Sequence, residues 1–222
     1  MKVPLTILTF KRPEYLDLTI GSFLNLNANI LDRFSIRVLV QGGDDPETTA
    51  VLNKYINHID RVDTLDENVG AGQGFSRLME QAVREKRRYV FHLEDDWQSK
   101  ESLEPYIKEI MTYMDENRNV GQIRLRSIFS PVCTKNPFRG LKKVLWKKKG
   151  NIKKGPAIFT FNPTITRLSV MRQILPVTSE KDACIKYDRL NLDCAQLVAD
   201  CFHHIGIERA YEIKDGEKRY VR

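Results

Sequence analysis

Tyr89-Val-Phe-His-Leu-Glu-Asp-Asp-Trp97 decides the reading of this chain. Five residues suited to a buried strand run straight into three consecutive acids, Glu94, Asp95 and Asp96. A strand of that kind belongs to the middle of a sheet, so the acids stand at its carboxyl end. Three adjacent carboxylates repel one another, and a divalent cation with oxygen ligands is a common partner for such a concentration of charge. The alternative is an acidic strand end that caps a neighbouring helix.

Upstream, strands alternate with helices. Val3 to Thr9 reads as a strand, and Pro13 suits the first turn of a helix whose face is Leu16, Ile20, Phe23 and Leu24. Ile36–Val40 reads as a second strand and Pro46–Ile59 as a helix. Arg61–Leu65 is a short third strand, Asn68–Gly74 a glycine-rich loop, and Phe75–Lys86 a helix. This alternation predicts an α/β fold with a mostly parallel sheet covered on both faces. Ligands then bind at the carboxyl edge, where the loops starting at Phe10, Gln41, Asp66 and Glu94 gather.

Downstream, the pattern predicts helices over Leu103–Glu116, Thr166–Ile174 and Leu192–His203, and strands over Gly121–Arg126 and Ala157–Phe161. Gly206–Ile213 reads as extended and Lys214-Asp-Gly-Glu217 as a turn. With 222 residues and no long linker, the chain is read as a single domain, 1–222. Residues 1–100 form a nucleotide-binding half and 101–222 an acceptor half that carries a basic loop at 135–154.

Hydrophobic residues make up 41% of the chain and charged residues 29%, which places it among soluble globular proteins. No apolar run is long enough to span a bilayer and no cleavage pattern opens the chain. The expected location is therefore cytoplasmic, with room for peripheral contact at the inner face of a membrane. Cys133, Cys184, Cys194 and Cys201 form no C-x-x-C pair, which excludes zinc-ribbon and thioredoxin-type sites. Cys194 and Cys201 are expected as core thiols on one helix face.

The net charge of +7 is local: nine basic and no acidic residues lie between Lys135 and Lys154, and without them the remainder would be −2. Such a block contacts phosphate or is a solvated loop. Lys147, Lys148 and Trp146 within it are candidates for holding a phosphate backbone and stacking on a base.

The ordered set of Val3-Pro-Leu-Thr-Ile-Leu-Thr-Phe-Lys-Arg-Pro-Glu-Tyr-Leu16, Asn68-Val-Gly-Ala-Gly-Gln-Gly-Phe-Ser-Arg77 and Tyr89–Trp97 resembles the GT-A glycosyltransferases, particularly their small inverting members. The resemblance covers about the first 100 residues. It implies a Rossmann-like sheet with a smaller acceptor-side lobe, and transfer of a hexose, glucose by preference, from a UDP-sugar to a hydroxyl. It places Thr9, Phe10 and Arg12 around the nucleoside, Gln41 or Asp44 on the base, the Asn68–Gly72 loop and Arg77 near the diphosphate or sugar, and Asp95 on the ribose or beside its neighbours. It makes Asp96 the direct ligand of Mn²⁺ or Mg²⁺, with Glu94 replacing the usual aspartate and His204, in His-Ile-Gly206, completing the shell. Phe159–Arg167, with Asn162, resembles the segment lining the acceptor. Asp182, ahead of Glu180, is the expected base for inverting transfer. The acceptor is a glycan or lipid-linked sugar or, through the basic loop, a hydroxylated base in DNA, as in phage-type DNA glucosyltransferases working in the host cytoplasm.

Three rivals bear on this reading. A dinucleotide fingerprint on Gly70, Gly72 and Gly74 would require glycine where Phe75 stands. A nucleotidyltransferase would show a glycine-rich phosphate loop where Phe10-Lys-Arg-Pro13 has none. A non-catalytic nucleic-acid-binding protein would leave the acidic strand end purely structural.

Overall fold

Nine strands form one sheet in the computed structural model, in the order β3-β2-β1-β4-β11-β6-β12-β10-β9. The structure describes residues 2–126 and 159–206, together with the backbone of short strands at 132–133, 144–145, 147–149, 152–155, 211–214 and 217–220.

The elements in chain order are β1 (Val3–Phe10), α1 (Pro13–Leu26), β2 (Phe34–Gln41), α2 (Pro46–Lys54), β3 (Ile59–Leu65), α3 (Gly70–Arg84), β4 (Tyr89–Glu94), β5 (Trp97–Ser99), α4 (Glu104–Glu116) and β6 (Val120–Arg124). They continue with β7 (Val132–Cys133), β8 (Val144–Leu145), β9 (Lys147–Lys149), β10 (Ile152–Gly155), β11 (Thr164–Arg167), α5 (Leu168–Ile174), α6 (Glu180–Arg189), β12 (Asp193–Leu197), β13 (Phe202–His204), β14 (Tyr211–Lys214) and β15 (Glu217–Tyr220). β1 to β4 run parallel, and β12 is parallel to β6. β11 is antiparallel to both β4 and β6, and β10 to both β12 and β9. The sheet is therefore mostly parallel, as expected, and passes without a break from the first half of the chain into the second.

Alternation along each strand divides the core in two. Leu5, Ile7, Val38, Val40, Phe91 and Leu93 pack with Leu16, Ile20 and Phe23 of α1 and Ile107 and Ile110 of α4. Leu8, Leu39 and Val90 face the other way, onto Phe75, Leu78 and Met79 of α3 and the buried residues of α5 and α6. Phe23, Phe34 and Phe91 meet edge to face at 5.6–5.9 Å, and Phe202 of β13 joins Phe91 at 5.9 Å. Each such contact adds about 1 kcal/mol beyond area burial. The last of them ties the late strand β13 to the strand that carries the acids.

Several local expectations change. α2 stops at Lys54, and a 3₁₀ turn, Ile56–His58, leads into β3, whose first residue is Ile59. α3 starts at Gly70, so Gly72 and Gly74 are helical and not loop residues. Phe159–Phe161 is not a strand; the strand is β11, which takes Thr166 and Arg167 away from the expected helix. The helix expected over Leu192–His203 is two strands, β12 and β13. Cys194 and Cys201 are buried, but not on a shared helix face. β14 and β15 pair antiparallel around the expected turn. Among the described residues no helix is long and apolar enough to cross a membrane.

Candidate active site

Phe10, Gln41, Glu94 and Arg124 end four neighbouring or near-neighbouring strands at one edge of the sheet, and the acid triplet lies at its centre. Its three carboxylates have different surroundings.

Asp95 is fully buried and turns back onto the end of β1. It accepts hydrogen bonds from Thr9 Oγ1 at 2.7 Å, from the Phe10 amide at 3.3 Å and from Arg12 Nε at 3.3 Å, and pairs with Arg12 Nη2. Its own carbonyl takes the Thr19 hydroxyl at 2.6 Å. Burial pushes its carboxyl up to about 6, against the pull of the Arg12 charge. Asp95 thereby stitches the turn Phe10-Lys11-Arg12 to β4, and Lys11 adopts φ +49° there.

Asp96 shares Arg12 with Asp95 and also meets the late strand β13. Its Oδ2 meets Arg12 Nη1 at 2.8 Å and His204 Nε2 at 3.3 Å. Burial works against its ionisation, but the His204 hydrogen bond and the Arg12 charge prevail and hold its pKa below the ordinary value. β13 pairs with β5, opposing His204 to Trp97, and the Ile205 amide donates to Asp96 O at 2.9 Å. At Gly206 a Cβ would stand 2.4 Å from Asp96 Oδ2, so only glycine lets this strand end approach so closely. Asp96 Oδ1 is buried with no hydrogen-bond partner among the described residues.

Glu94 ends β4. Burial, then the charges of Asp96, Glu180 and Asp95, push it up to about 8. Glu180 thus belongs to the same field although it lies on α6. It is placed by a relay: the Gln122 side chain accepts the Thr160 amide and donates to Thr160 O, both at 3.0 Å, and the next amide, Phe161 N, donates to Glu180 Oε1 at 3.1 Å. Asp182 points elsewhere. It accepts from the Thr178 amide at 3.0 Å and pairs with Lys186 at 3.0 Å, while its own amide donates to the Ser179 cap at 3.1 Å. The Thr178 amide holds its pKa below the ordinary value.

The remaining candidates surround this centre unevenly. The Phe10 ring rests where a Gly42 Cβ would be 2.6 Å away, and 37% of the residue is exposed. Gln41 is buried and its Oε1 accepts the Val69 amide at 3.0 Å; Asp44 is exposed. Asn68 accepts the Gly70 amide at 2.9 Å. Gly72 packs against Thr178 and Ser179, where a Cβ would come within 2.2 Å of the Thr178 carbonyl carbon. Arg77 lies in a cavity of about 650 Å³ beside α3 that no member of the acid triplet lines. Asn162 sits in the bend before β11. Trp146 and the side chains of Lys147 and Lys148 lie outside the described residues; the backbone of the two lysines is in β9.

One neighbour was not anticipated. The Arg126 guanidinium lies over the Trp97 ring at 4.7 Å, and Trp97 and His204 meet with ring centroids 4.7 Å apart, tilted by 35°. In the sequence it reads only as the end of the Gly121–Arg126 strand, and nothing signals that this end reaches the acids.

No protein-family model matches the chain, and no curated protein matches its sequence. Solved structures match in shape. "Crystal structure of S. aureus TarS 1-349" superposes with a TM-score of 0.60 at 16% identity, over 91% of this chain and 59% of that one. TarS 1-349 in complex with UDP-GlcNAc gives 0.61 at 19% identity, covering 91% and 57%, and the complex with UDP gives 0.61 at 17%, covering 91% and 59%. The chain therefore spans less than two thirds of TarS 1-349. The likeness shows the fold: this is a GT-A sheet.

Proposed function

We propose that this protein transfers a hexose from a UDP-sugar to an acceptor hydroxyl with inversion. The observation that carries the reading is the meeting of Asp96 and His204 at 3.3 Å, at the carboxyl end of β4 in a GT-A sheet. TarS, of the same fold, forms complexes with UDP and UDP-GlcNAc.

Asp96 and His204 fit Mn²⁺ or Mg²⁺, because an oxygen and an imidazole converge and Asp96 Oδ1 is buried without a partner among the described residues. Among the described residues no group of three His, Cys, Asp or Glu is close enough to hold an ion, so water and substrate phosphate would fill the shell, as Mg²⁺ commonly prefers. When bound there, the cation neutralises charge on the leaving diphosphate. Glu94 lies within the field of Asp96 and would add negative charge to the position that holds the cation.

Phe10, 37% exposed with Lys11 Nζ 5.9 Å from its ring centroid, is the ring assigned to the base, and Asp95 fixes the turn that presents it. Arg12 directs Nε and Nη2 at Asp95 and Nη1 at Asp96, and its positive charge stands beside the position taken by the donor's phosphates or ribose. Glu180 serves as the base in preference to Asp182, which is occupied as a cap. It takes the hydroxyl proton while the acceptor oxygen bonds to the anomeric carbon and the bond to the diphosphate oxygen breaks, its electron pair leaving with UDP. Glu180 lies close enough to Glu94 for its charge to raise the Glu94 pKa, whereas Asp182 is taken up by the Thr178 amide and Lys186.

The test is UDP release from a panel of UDP-sugars with Mn²⁺ or Mg²⁺, with candidate acceptors that include hydroxymethylated DNA and a neutral glycan. Release is expected from one donor, with loss in Asp96→Asn. If no donor is consumed and Asp96→Asn binds UDP like the parent, the reading fails.

A further inference from the structure

We propose that Arg12 is a built-in counter-ion for the acid triplet, and that a divalent cation must displace one of its arms from Asp96, so that the cation and the donor diphosphate bind cooperatively. The inference rests on the donor reading and adds to it a rule for how the site fills.

Three nitrogens of one guanidinium meet two acids. Nε donates to Asp95 Oδ2 at 3.3 Å, Nη2 pairs with Asp95 Oδ1, and Nη1 donates to Asp96 Oδ2 at 2.8 Å. The two attachments are unequal. The Asp95 side chain has no exposure, and withdrawing the arginine would leave a buried carboxylate short of its counter-charge. The paired contact on Asp95 is therefore the fixed end. Asp96 is held differently. Its side chain keeps 10% exposure, and the same Oδ2 also meets His204 Nε2 at 3.3 Å. Asp96 can release Nη1 and still have a partner.

The exchangeable arm thus lies on the oxygen where Asp96 and His204 converge, the position read above for the cation. A guanidinium and a divalent ion repel at such range, so a cation arriving alone binds against a charge already in place. Arg12 cannot swing clear, because Asp95 holds its Nε and Nη2 and also accepts the Phe10 amide of the same turn. The released arm needs another acceptor. Arg12 is one-third exposed, and a diphosphate entering from solvent supplies charged oxygens that suit a guanidinium fork. Each ligand then removes a cost from the binding of the other, and such a coupling is reciprocal.

The test follows free Mn²⁺ by electron paramagnetic resonance while the full chain is titrated, with and without UDP. In the parent, UDP is expected to raise Mn²⁺ affinity about tenfold or more. Arg12→Gln should bind Mn²⁺ alone about tenfold more tightly than the parent, and UDP should then add correspondingly less. The sign separates this role from a structural one, because a site merely held together by Arg12 would bind the ion less well without it. Lys11→Gln removes an equal charge from the next residue, whose ammonium lies over the Phe10 ring, and should stay within about twofold of the parent. Near-ultraviolet circular dichroism checks the fold. Where Arg12→Gln loses it, Arg12→Lys takes its place: an ammonium keeps the charge but not the planar fork that spans both acids, so it too should bind Mn²⁺ more tightly. The inference is overturned if neither variant binds Mn²⁺ more tightly than the parent, or if Lys11→Gln tightens binding as much. It falls with the donor reading intact if UDP raises Mn²⁺ affinity equally in the parent and in Arg12→Gln. If UDP binds in no condition, the donor reading fails and takes the coupling with it, while the Mn²⁺ titrations still decide whether Arg12 competes for Asp96.

Discussion

Two acidic clusters lie within one site, and they are held in opposite ways. At the end of β4, Asp95 and Asp96 are buried, share Arg12 and depend on His204 and the β1 turn. At the start of α6, Asp182 is partly exposed and satisfied locally by Thr178 and Lys186, and Ser179 caps the helix. Charge at a helix N-terminus is inexpensive because orphan amides and the dipole welcome it. Charge at a buried strand end is costly, and three such groups together persist against the stability of the fold. The first cluster reads as chemistry; in the second, only Glu180, drawn toward Glu94, joins it.

Substitutions can break this contrast, beginning with the largest effect. Asp96→Asn is expected to lower kcat/KM for sugar transfer by about a thousandfold or more, the scale of losing electrostatic stabilisation at a leaving group. Next, Glu180→Gln should cost about a hundredfold or more in kcat with KM little changed, as for a general base. Asp182→Asn should stay within a few-fold of the parent; equal losses at both positions would erase the distinction drawn between them.

A smaller effect sharpens it through pH. Glu94 has its folded pKa raised from 4.5 to about 8, so the folded state binds more protons between those values and stability falls as pH rises. Glu94→Gln removes that loss, and thermal unfolding without added metal should show it more stable than the parent by roughly 4–5 kcal/mol at pH 8 and above, converging toward pH 4.5. Last, Ser179→Ala should cost about 1 kcal/mol in denaturant unfolding through the lost α6 cap, at every pH in that range.

The first half of the fold was legible because its strands are continuous apolar runs and its turns carry glycine and proline. Val3–Thr9, Ile36–Val40 and Tyr89–Leu93 lie within strands of the sheet, and the edge they define is where the acids are. β12 was not legible. Asp193-Cys-Ala-Gln-Leu197 has no β-branched residue, and local preference favours a helix. Pairing on both sides, with β6 and β10, overrides that preference and buries Cys194 on one face and Ala195 on the other. Thr166 was drawn into the helical pattern of α5, yet its place opposite Val90 and Gln122 is set by partners far away in sequence. The site follows the same rule. Asp96 and Asp95 are readable from their strand, while the separation of Glu180 from Asp182 depends on which amides lie nearby. Arg126 becomes visible only through its contact with Trp97.

Gly72 in α3 touches the carbonyl of Thr178, one residue before the α6 cap. Its missing side chain works as a spacer gauge between two moving parts of a machine. The helix that follows the donor-side loop and the turn that launches Glu180 are set at a backbone-to-backbone distance, with no side chain to absorb an error. An alanine there would push the α6 start outward, and Glu180 with it, away from Glu94. The tolerance of the reaction to distance is thus set at a position whose close neighbours are Thr178 and Ser179 and not the acids.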